Sequence, residues 1–153
     1  MKRVEVKLSL PVVAPLLDIV KSAADSLQVD LAAPQAMKDI EGEFRDAWNG
    51  ELLSAQNGDL RTLLALFDSE FFATGVIGFD EENAEAIVRA CSAVRLRLRA
   101  RYLVGLEDEK LESGDVELVQ LDEGVRKAFM CYLFLATIQE LIIQHLDSSI
   151  IES

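Results

Sequence analysis

The 153-residue chain contains one histidine, two cysteines, three prolines and one tryptophan. A single histidine, His145, argues against a histidine-rich metal site, because a di-iron bundle takes a Glu-x-x-His pair from each of two helices. A serine or cysteine nucleophile usually requires a histidine as its general base, and only His145 could serve. Cys131 and His145 lie about 21 Å apart along one predicted helix, at ~1.5 Å per residue. We therefore expect a non-enzymatic protein with no metal and no cofactor.

The chain also lacks features of exported and membrane proteins. The two cysteines, Cys91 and Cys131, do not form a Cys-x-x-Cys pair. Two isolated cysteines are typical of a reduced, cytoplasmic protein and not of a disulfide framework. Glu5 and Lys7 interrupt the apolar segment that a signal peptide requires. The uncharged run at 129–138 is shorter than the roughly 20 residues of a membrane span. We expect a cytoplasmic protein that does not bind membranes.

Positive charge is scarce as well: 15 Lys and Arg face 27 Asp and Glu, which gives a net charge of −12. Such a field repels phosphate backbones, so nucleic-acid binding is not expected. Half of the residues are apolar, and a chain of this length can form one core. We expect a single helical domain over residues 1–153.

What the sequence has in quantity is helical periodicity. Apolar spacing and helix-start signals predict helices over 11–28, from Pro34 to about 50, from 59 to about 71, over 80–103 and over 122–146. Asn57-Gly58-Asp59 predicts a turn before the third helix, and 73–79 reads as a loop. The last segment is too apolar for an ordinary surface helix. The fold class is therefore mainly α, a single bundle of about five helices around a central C-terminal helix.

One opening segment departs from the helical pattern. Apolar and polar residues alternate over about 3–10, which is typical of a half-buried strand. A strand needs a partner, and the best candidate is the stretch 115–121 near the other end of the chain. These two segments predict a small two-stranded β ribbon beside the bundle.

Four arginines, at 95, 97, 99 and 101, give the candidate sites, and they admit three interpretations. They form a solvated helix end, or Arg95 forms a buried ion pair with Glu140, or Arg97 and Arg101 bind an anion or an acidic partner. A buried charge requires a partner, and Glu140 is the charge in the apolar part of the last helix. The acidic connection after that helix end extends the predicted partner surface; its residues are Glu107, Asp108 and Glu109. Trp48, Phe44 and Phe67 either line a ligand pocket or, as we expect, belong to the core.

Several short motifs along the chain resemble an uncharacterised bacterial family, best known in actinobacteria and often encoded beside the Clp protease adaptor. The motifs are the strand and leucine-rich helix from Val4, Glu43-Phe44-Arg45, the helix start at 80–90, Val94-Arg95-Leu96 with Leu98 and Arg101, and Ile138-Gln139-Glu140-Leu141. The chain departs from the family pattern at Ile87, Ser92-Ala93 and Arg99, where the family has Trp, Asn-Asp and Gly. The resemblance implies a helical fold, Arg95 and Glu140 as a matched pair, and a link to regulated proteolysis.

Three functions remain open at this point. The first is a protein-interaction or regulatory module that presents a helix face or its acidic loop to a protein partner. The second is a small-molecule-binding or catalytic domain with an inter-helical pocket near Arg95, Tyr102 and Glu140. The third is a structural homodimer.

Overall fold

The computed structural model describes residues 3–29, 31–32, 42–106, 113 and 121–146, with the side chains of 42–46 left aside. This part of the chain contains five helices and two strands. Their bounds are β1 (Arg3–Lys7), α1 (Leu10–Ser26), α2 (Gly42–Leu64), α3 (Ser69–Thr74), β2 (Val76–Asp80), α4 (Ala84–Arg101) and α5 (Glu123–His145). The prediction of a mainly helical chain with a small two-stranded sheet is confirmed.

Helix α4 shares the interior of the described bundle with α5. It packs against α1, α2 and α5, whereas the main packing of α5 is against α4 and α1. The buried residues of α4 share the inward stripe of an amphipathic helix; they are Ala84, Ile87, Ala90, Cys91, Ala93, Val94 and Leu98. Among the described residues, the core is therefore built on α4 as well as on α5, the predicted central helix.

Helix α5 nevertheless matches its predicted bounds and supplies much of the core. Its buried residues recur at helical spacing: Ala128, Phe129, Cys131, Tyr132, Leu135, Ile138, Gln139 and Ile142. The other side carries exposed residues such as Thr137 and Ile143. By length and composition alone α5 could cross a membrane, but core helices pass the same test. Its packing against α1 and α4 accounts for the apolar composition.

The β ribbon forms with a different partner from the one predicted. Strand β1 pairs antiparallel with β2, in a register that places Val6 opposite Ile77 and Val4 opposite Phe79. The prediction of a loop over 73–79, based on Gly75 and Gly78, is wrong for residues 76–79, because they belong to β2. The predicted partner, 115–121, lies outside the described residues except for its last position.

Two predicted helices merge into one. Helix α2 runs without interruption through Asn57 and Gly58, where the sequence predicts a turn. Side chains of α2 bind the chain that leaves α1. The amide nitrogen of Gln56 donates to the Leu27 carbonyl at 2.7 Å, and that of Asn57 donates to the Gln28 carbonyl at 3.2 Å. These tertiary hydrogen bonds use the polar side chains that would otherwise favour a turn.

Helix α4 begins four residues later than predicted, because Asp80 forms a turn instead of a helix cap. Its carboxylate accepts hydrogen bonds from the backbone N–H groups of Glu82 and Asn83, at 2.9 and 3.0 Å. A short Asp side chain commonly stabilises a turn in this way. The turn connects β2 to α4 and fixes where Asn83 points.

Candidate functional site

A polar cluster joins α4 to α5 at the position of Arg95. The Arg95 Nη1 atom donates a hydrogen bond of 2.8 Å to Oε1 of Gln139. The guanidinium carbon lies 4.3 Å from the ring centroid of Tyr132, within the range of a cation–π contact. The Gln139 Nε2 atom donates to the Val88 carbonyl at 2.9 Å and to the Ser92 hydroxyl at 2.8 Å. The buried Gln139 amide is thus satisfied on both its oxygen and its nitrogen.

This cluster corrects the predicted buried ion pair between Arg95 and Glu140. The Glu140 side chain is exposed, and its carboxylate accepts a hydrogen bond of 3.4 Å from Gln144 one turn later. Successive residues of a helix point about 100° apart, so only one of the neighbours Gln139 and Glu140 can face α4. Gln139 lies four residues after Leu135 and seven after Tyr132, on the buried stripe. That spacing was the available signal, and sequence reasoning missed Gln139 by favouring charge.

The other candidate arginines lie toward the end of α4. Arg97 is half-buried and Arg101 is exposed, in the last turn where a cation is favoured by the helix dipole. Residues 107–109, the acidic part of the predicted partner surface, lie outside the described residues. The interaction role of these positions therefore stays a prediction.

The three residues of the predicted pocket, Arg95, Tyr102 and Glu140, lie in three different environments. Tyr102 lines a small cavity of about 290 Å³ between the end of α4 and the start of α5. The other residues around it are Gly105, Leu106, Leu121, Asp122 and Val125. Arg95 packs two helical turns away on Tyr132, and Glu140 faces solvent. The geometry does not unite these residues around one ligand.

The two cysteines are buried, which determines their chemistry. Burial raises the pKa of the Cys91 thiol to about 12, an effect that the nearby Arg95 charge opposes and the neighbouring Cys131 reinforces. Burial likewise raises the pKa of Cys131 to about 12. Both are protonated thiols at neutral pH and therefore weak nucleophiles. His145 lies exposed in the last turn of α5.

Among the residues that the structure describes, no group of three or more His, Cys, Asp or Glu side chains is placed to hold a metal ion. The described surface does contain a groove of about 730 Å³ between β2, the end of α2 and α3. Charged side chains of both signs line it, namely Arg3, Arg61, Glu5, Asp68 and Glu70. We call it the polar groove, because its mixed charges distinguish it from an apolar ligand pocket.

The stretch 47–55 of α2 forms an exposed surface with apolar side chains. Each of its residues is exposed except Leu53, which is half-buried. Trp48 is 50% exposed and Leu52 38% exposed, and the two lie four residues apart on one side of the helix. We call Trp48, Leu52 and Ala55 the apolar ridge.

The apolar ridge corrects the expectation that Trp48 belongs to the core. Phe67, the second aromatic residue of that expected set, is half-buried and packs edge to face on Phe71, with ring centroids 5.2 Å apart. The side chain of Phe44 lies outside the described part. Among the described side chains, the buried aromatic residues all follow α2, while the tryptophan lies at the surface.

Comparison with known families gives one finding. The chain belongs to the family described as a domain of unknown function, DUF2017, whose model matches residues 14–146. No curated protein and no solved structure shows significant similarity to the chain. The family match covers the helices except for the first turn of α1, and it includes Arg95 and Gln139.

Proposed function

We propose that this member of the DUF2017 family is a non-enzymatic protein-interaction or regulatory module that binds a protein partner through the apolar ridge of α2. The observation that supports this function is the exposure of Trp48 and Leu52 on a helix segment whose other residues, apart from the half-buried Leu53, also face solvent. Single exposed apolar residues are normal on a protein surface. Here a tryptophan and a leucine share one side of a helix, with Ala55 completing the i, i+4, i+7 spacing used by helices that dock into apolar grooves.

The chemistry of the ridge suggests what the partner supplies. Tryptophan is enriched among the residues that carry most of the binding energy of protein interfaces. Glu51 lies beside the ridge, and the chain as a whole carries a charge of −12. A complementary surface would therefore have an apolar groove with basic residues at its rim. The same net charge disfavours nucleic acid and anionic membrane surfaces as partners, and we place the protein in the cytoplasm.

A second contact belongs to the same proposal. Arg97 and Arg101 at the end of α4, followed by Glu107, Asp108 and Glu109, would provide a charged surface next to the main contact or in place of it. The family resemblance implies a connection to regulated proteolysis. We include that connection as the cellular setting in which a partner would be sought.

The test is capture from native lysate with variants matched in position. The variant Trp48→Ala/Leu52→Ala removes the ridge, and the control Asn49→Ala/Ser54→Ala alters exposed residues of the same helix segment. We expect wild type and control to retain one stoichiometric protein. The ridge variant should bind it at least about tenfold more weakly, because truncating an interface hot spot costs about 2 kcal/mol or more and tenfold corresponds to 1.4.

A third variant, with residues 106–114 deleted, tests whether the charged surface contacts the partner. Loss of the partner from this variant alone would move the contact from α2 to the end of α4. Equal capture by all four proteins, measured again as the dissociation constant with purified partner, would refute both surfaces. Far-UV circular dichroism of each variant shows that a lost interaction is not lost folding.

A further inference from the structure

The two outer edges of the β ribbon differ in their hydrogen bonding. The Leu8 N–H donates to the Gly75 carbonyl at 2.7 Å, in register with the β1–β2 pairing. In an antiparallel pair the residues that exchange hydrogen bonds alternate along the strand. Val4 and Val6 therefore direct their backbone groups toward β2. The backbone groups of Arg3, Glu5 and Lys7 point away from it, along the outer edge of β1.

The outer edge of β2 is covered by side chains. The Thr74 hydroxyl accepts the Val76 N–H at 3.2 Å. The Asn83 amide does more: its oxygen accepts the Asp80 N–H at 2.8 Å and its nitrogen donates to the Gly78 carbonyl at 3.3 Å. These contacts occupy the backbone groups that an added strand would use, a common way to protect an edge. Pairing on this side of the ribbon is blocked.

The outer edge of β1 has no such cover within the described part of the chain. There, the outward backbone groups of Glu5 and Lys7 have no hydrogen-bond partner. The apolar side chains of the strand are also incompletely covered. Val4 and Val6 are half-buried, whereas the residues opposite them on β2, Phe79 and Ile77, are at most 2% exposed. A strand added to β1 would satisfy the backbone and complete the burial of both valines.

We propose that this edge binds a second copy of the chain, with the two β1 strands antiparallel and centred on Val6. The result is a four-stranded sheet across a two-fold axis, an isologous contact that uses the same segment twice. This inference concerns a different surface from the apolar ridge of α2 and does not depend on it.

Charge complementarity selects the second copy as the occupant. Centred on Val6, the pairing places Glu5 opposite Lys7 of the partner subunit and, by symmetry, Lys7 opposite Glu5 of the partner subunit. Opposite charges directly across a strand pair stabilise it, and like charges destabilise it. Centred on Glu5 instead, the pairing would oppose two glutamates and would place Arg3 opposite a lysine.

The existing ion pairs leave Lys7 available for this role. On the exposed side of the ribbon Arg3 already contacts Asp80 at 3.3 Å and Glu5 at 3.5 Å. The Lys7 ammonium group is exposed and has no ionic partner among the described residues. The partner subunit would supply the carboxylate that Lys7 lacks within its own chain.

The test is sedimentation equilibrium of the full chain up to about 1 mM, where weak interfaces become populated. We expect wild type to dimerise, and Glu5→Lys and Lys7→Glu each to weaken the dimer at least about tenfold, since each single change opposes like charges. The double variant Glu5→Lys/Lys7→Glu should restore dimerisation. An equimolar mixture of the two single variants should form the heterodimer, because its pairs are again complementary.

Matched controls separate pairing from net charge. Lys21→Glu on α1 and Glu140→Lys on α5 change the charge of the chain by the same amounts at exposed positions outside the ribbon, and should leave the dimer intact. Thermal unfolding followed by circular dichroism verifies that every variant is folded. A wild type that stays monomeric at all concentrations, as it would if another segment of the same chain occupied the edge, overturns the proposal. A dimer weakened by Glu5→Lys but indifferent to Lys7→Glu overturns the arrangement centred on Val6.

Discussion

Replacing Gln139 tests the polar cluster that joins α4 and α5, because this one amide makes three hydrogen bonds. The substitution Gln139→Met keeps the length of the side chain and removes all three. Its two bonds to neutral groups contribute about 0.5–1.5 kcal/mol each, and the bond from the Arg95 guanidinium about 1.5–3. Burying an apolar Met side chain offsets about 1.5–3 kcal/mol of this sum. We expect a net loss of about 1–3 kcal/mol in unfolding free energy.

Equilibrium unfolding in urea, followed by far-UV circular dichroism, measures this loss. The matched control is Glu140→Gln, the next residue along the chain. It should leave stability within about 0.5 kcal/mol of wild type, because its side chain is exposed. The pair of variants compares buried and exposed neighbours on one helix.

A double-mutant cycle with Arg95→Met isolates the interaction itself. Arg95 and Gln139 share a hydrogen bond of 2.8 Å, so their coupling energy should be about 1.5–3 kcal/mol, as expected of a bond to a charged group. Coupling below about 0.5 kcal/mol would refute the cluster as a stabilising contact, since that is the scatter of independent sites. A loss in Glu140→Gln equal to that in Gln139→Met would return the ion pair to Glu140.

Two further predictions concern backbone conformation and thiol chemistry. Gly75→Ala should destabilise by at least about 1–2 kcal/mol in urea unfolding, because Gly75 has a φ of 77° and an added Cβ would lie 2.8 Å from the Leu8 carbonyl oxygen. The control Gly50→Ala, in an open helical position, should stabilise by about 0.5–1 kcal/mol, and the reverse order would contradict the argument. At pH 8 a thiol reagent should label Cys91 and Cys131 roughly a thousandfold more slowly in the native protein than in urea, since burial raises the pKa of each from 9.0 to about 12. The stability that these neutral buried thiols contribute is present below pH 9.0 and declines as the pH rises toward 12, and equal labelling rates in both states would refute their burial.

Helix α5 shows what the sequence determines on its own. The sequence predicts a helix over 122–146, and the structure has Glu123–His145 with Asp122 at the N-cap. A long apolar periodic segment with a clear start signal depends little on the rest of the chain. The position of α5 within the bundle is not determined by its own sequence in this way. Which helix becomes central depends on how the faces of α1, α2 and α4 fit together, and periodicity does not contain that information.

The ribbon and α2 show where local signals lose to distant contacts. Strand β2 has five residues and contains Gly78, which lies beneath the Arg3 guanidinium, while Gly75 just before the strand ends α3 in the left-handed conformation. The role of Gly78 depends on β1, some 70 residues earlier in the chain, whereas the helix end at Gly75 is local. The turn expected at Asn57-Gly58 is overridden in the same manner by hydrogen bonds to the end of α1. A prediction from a short window of sequence cannot take such distant partners into account.

Sequence reasoning identifies one of the two residues that form the candidate site. Arg95 was identified as a residue facing the last helix, but its partner was placed one position too far along, at Glu140. The error came from pairing a charge with a charge. A neutral amide accepts a hydrogen bond from the half-buried guanidinium and avoids the cost of desolvating a carboxylate. The buried stripe of α5 contained the answer, since Gln139 continues its spacing and Glu140 does not.

The limits of the family match bear on how the dimer proposal must be tested. The DUF2017 model begins at residue 14, after β1 and the first turn of α1, and includes β2 and the rest of the helical bundle. Membership therefore concerns the residues that build the bundle and the covered edge of the ribbon, including Thr74 and Asn83. It does not include Glu5 and Lys7, on which the complementary pairing depends. Because those charges lie outside the match, dimerisation has to be measured on this chain and cannot be taken from its family.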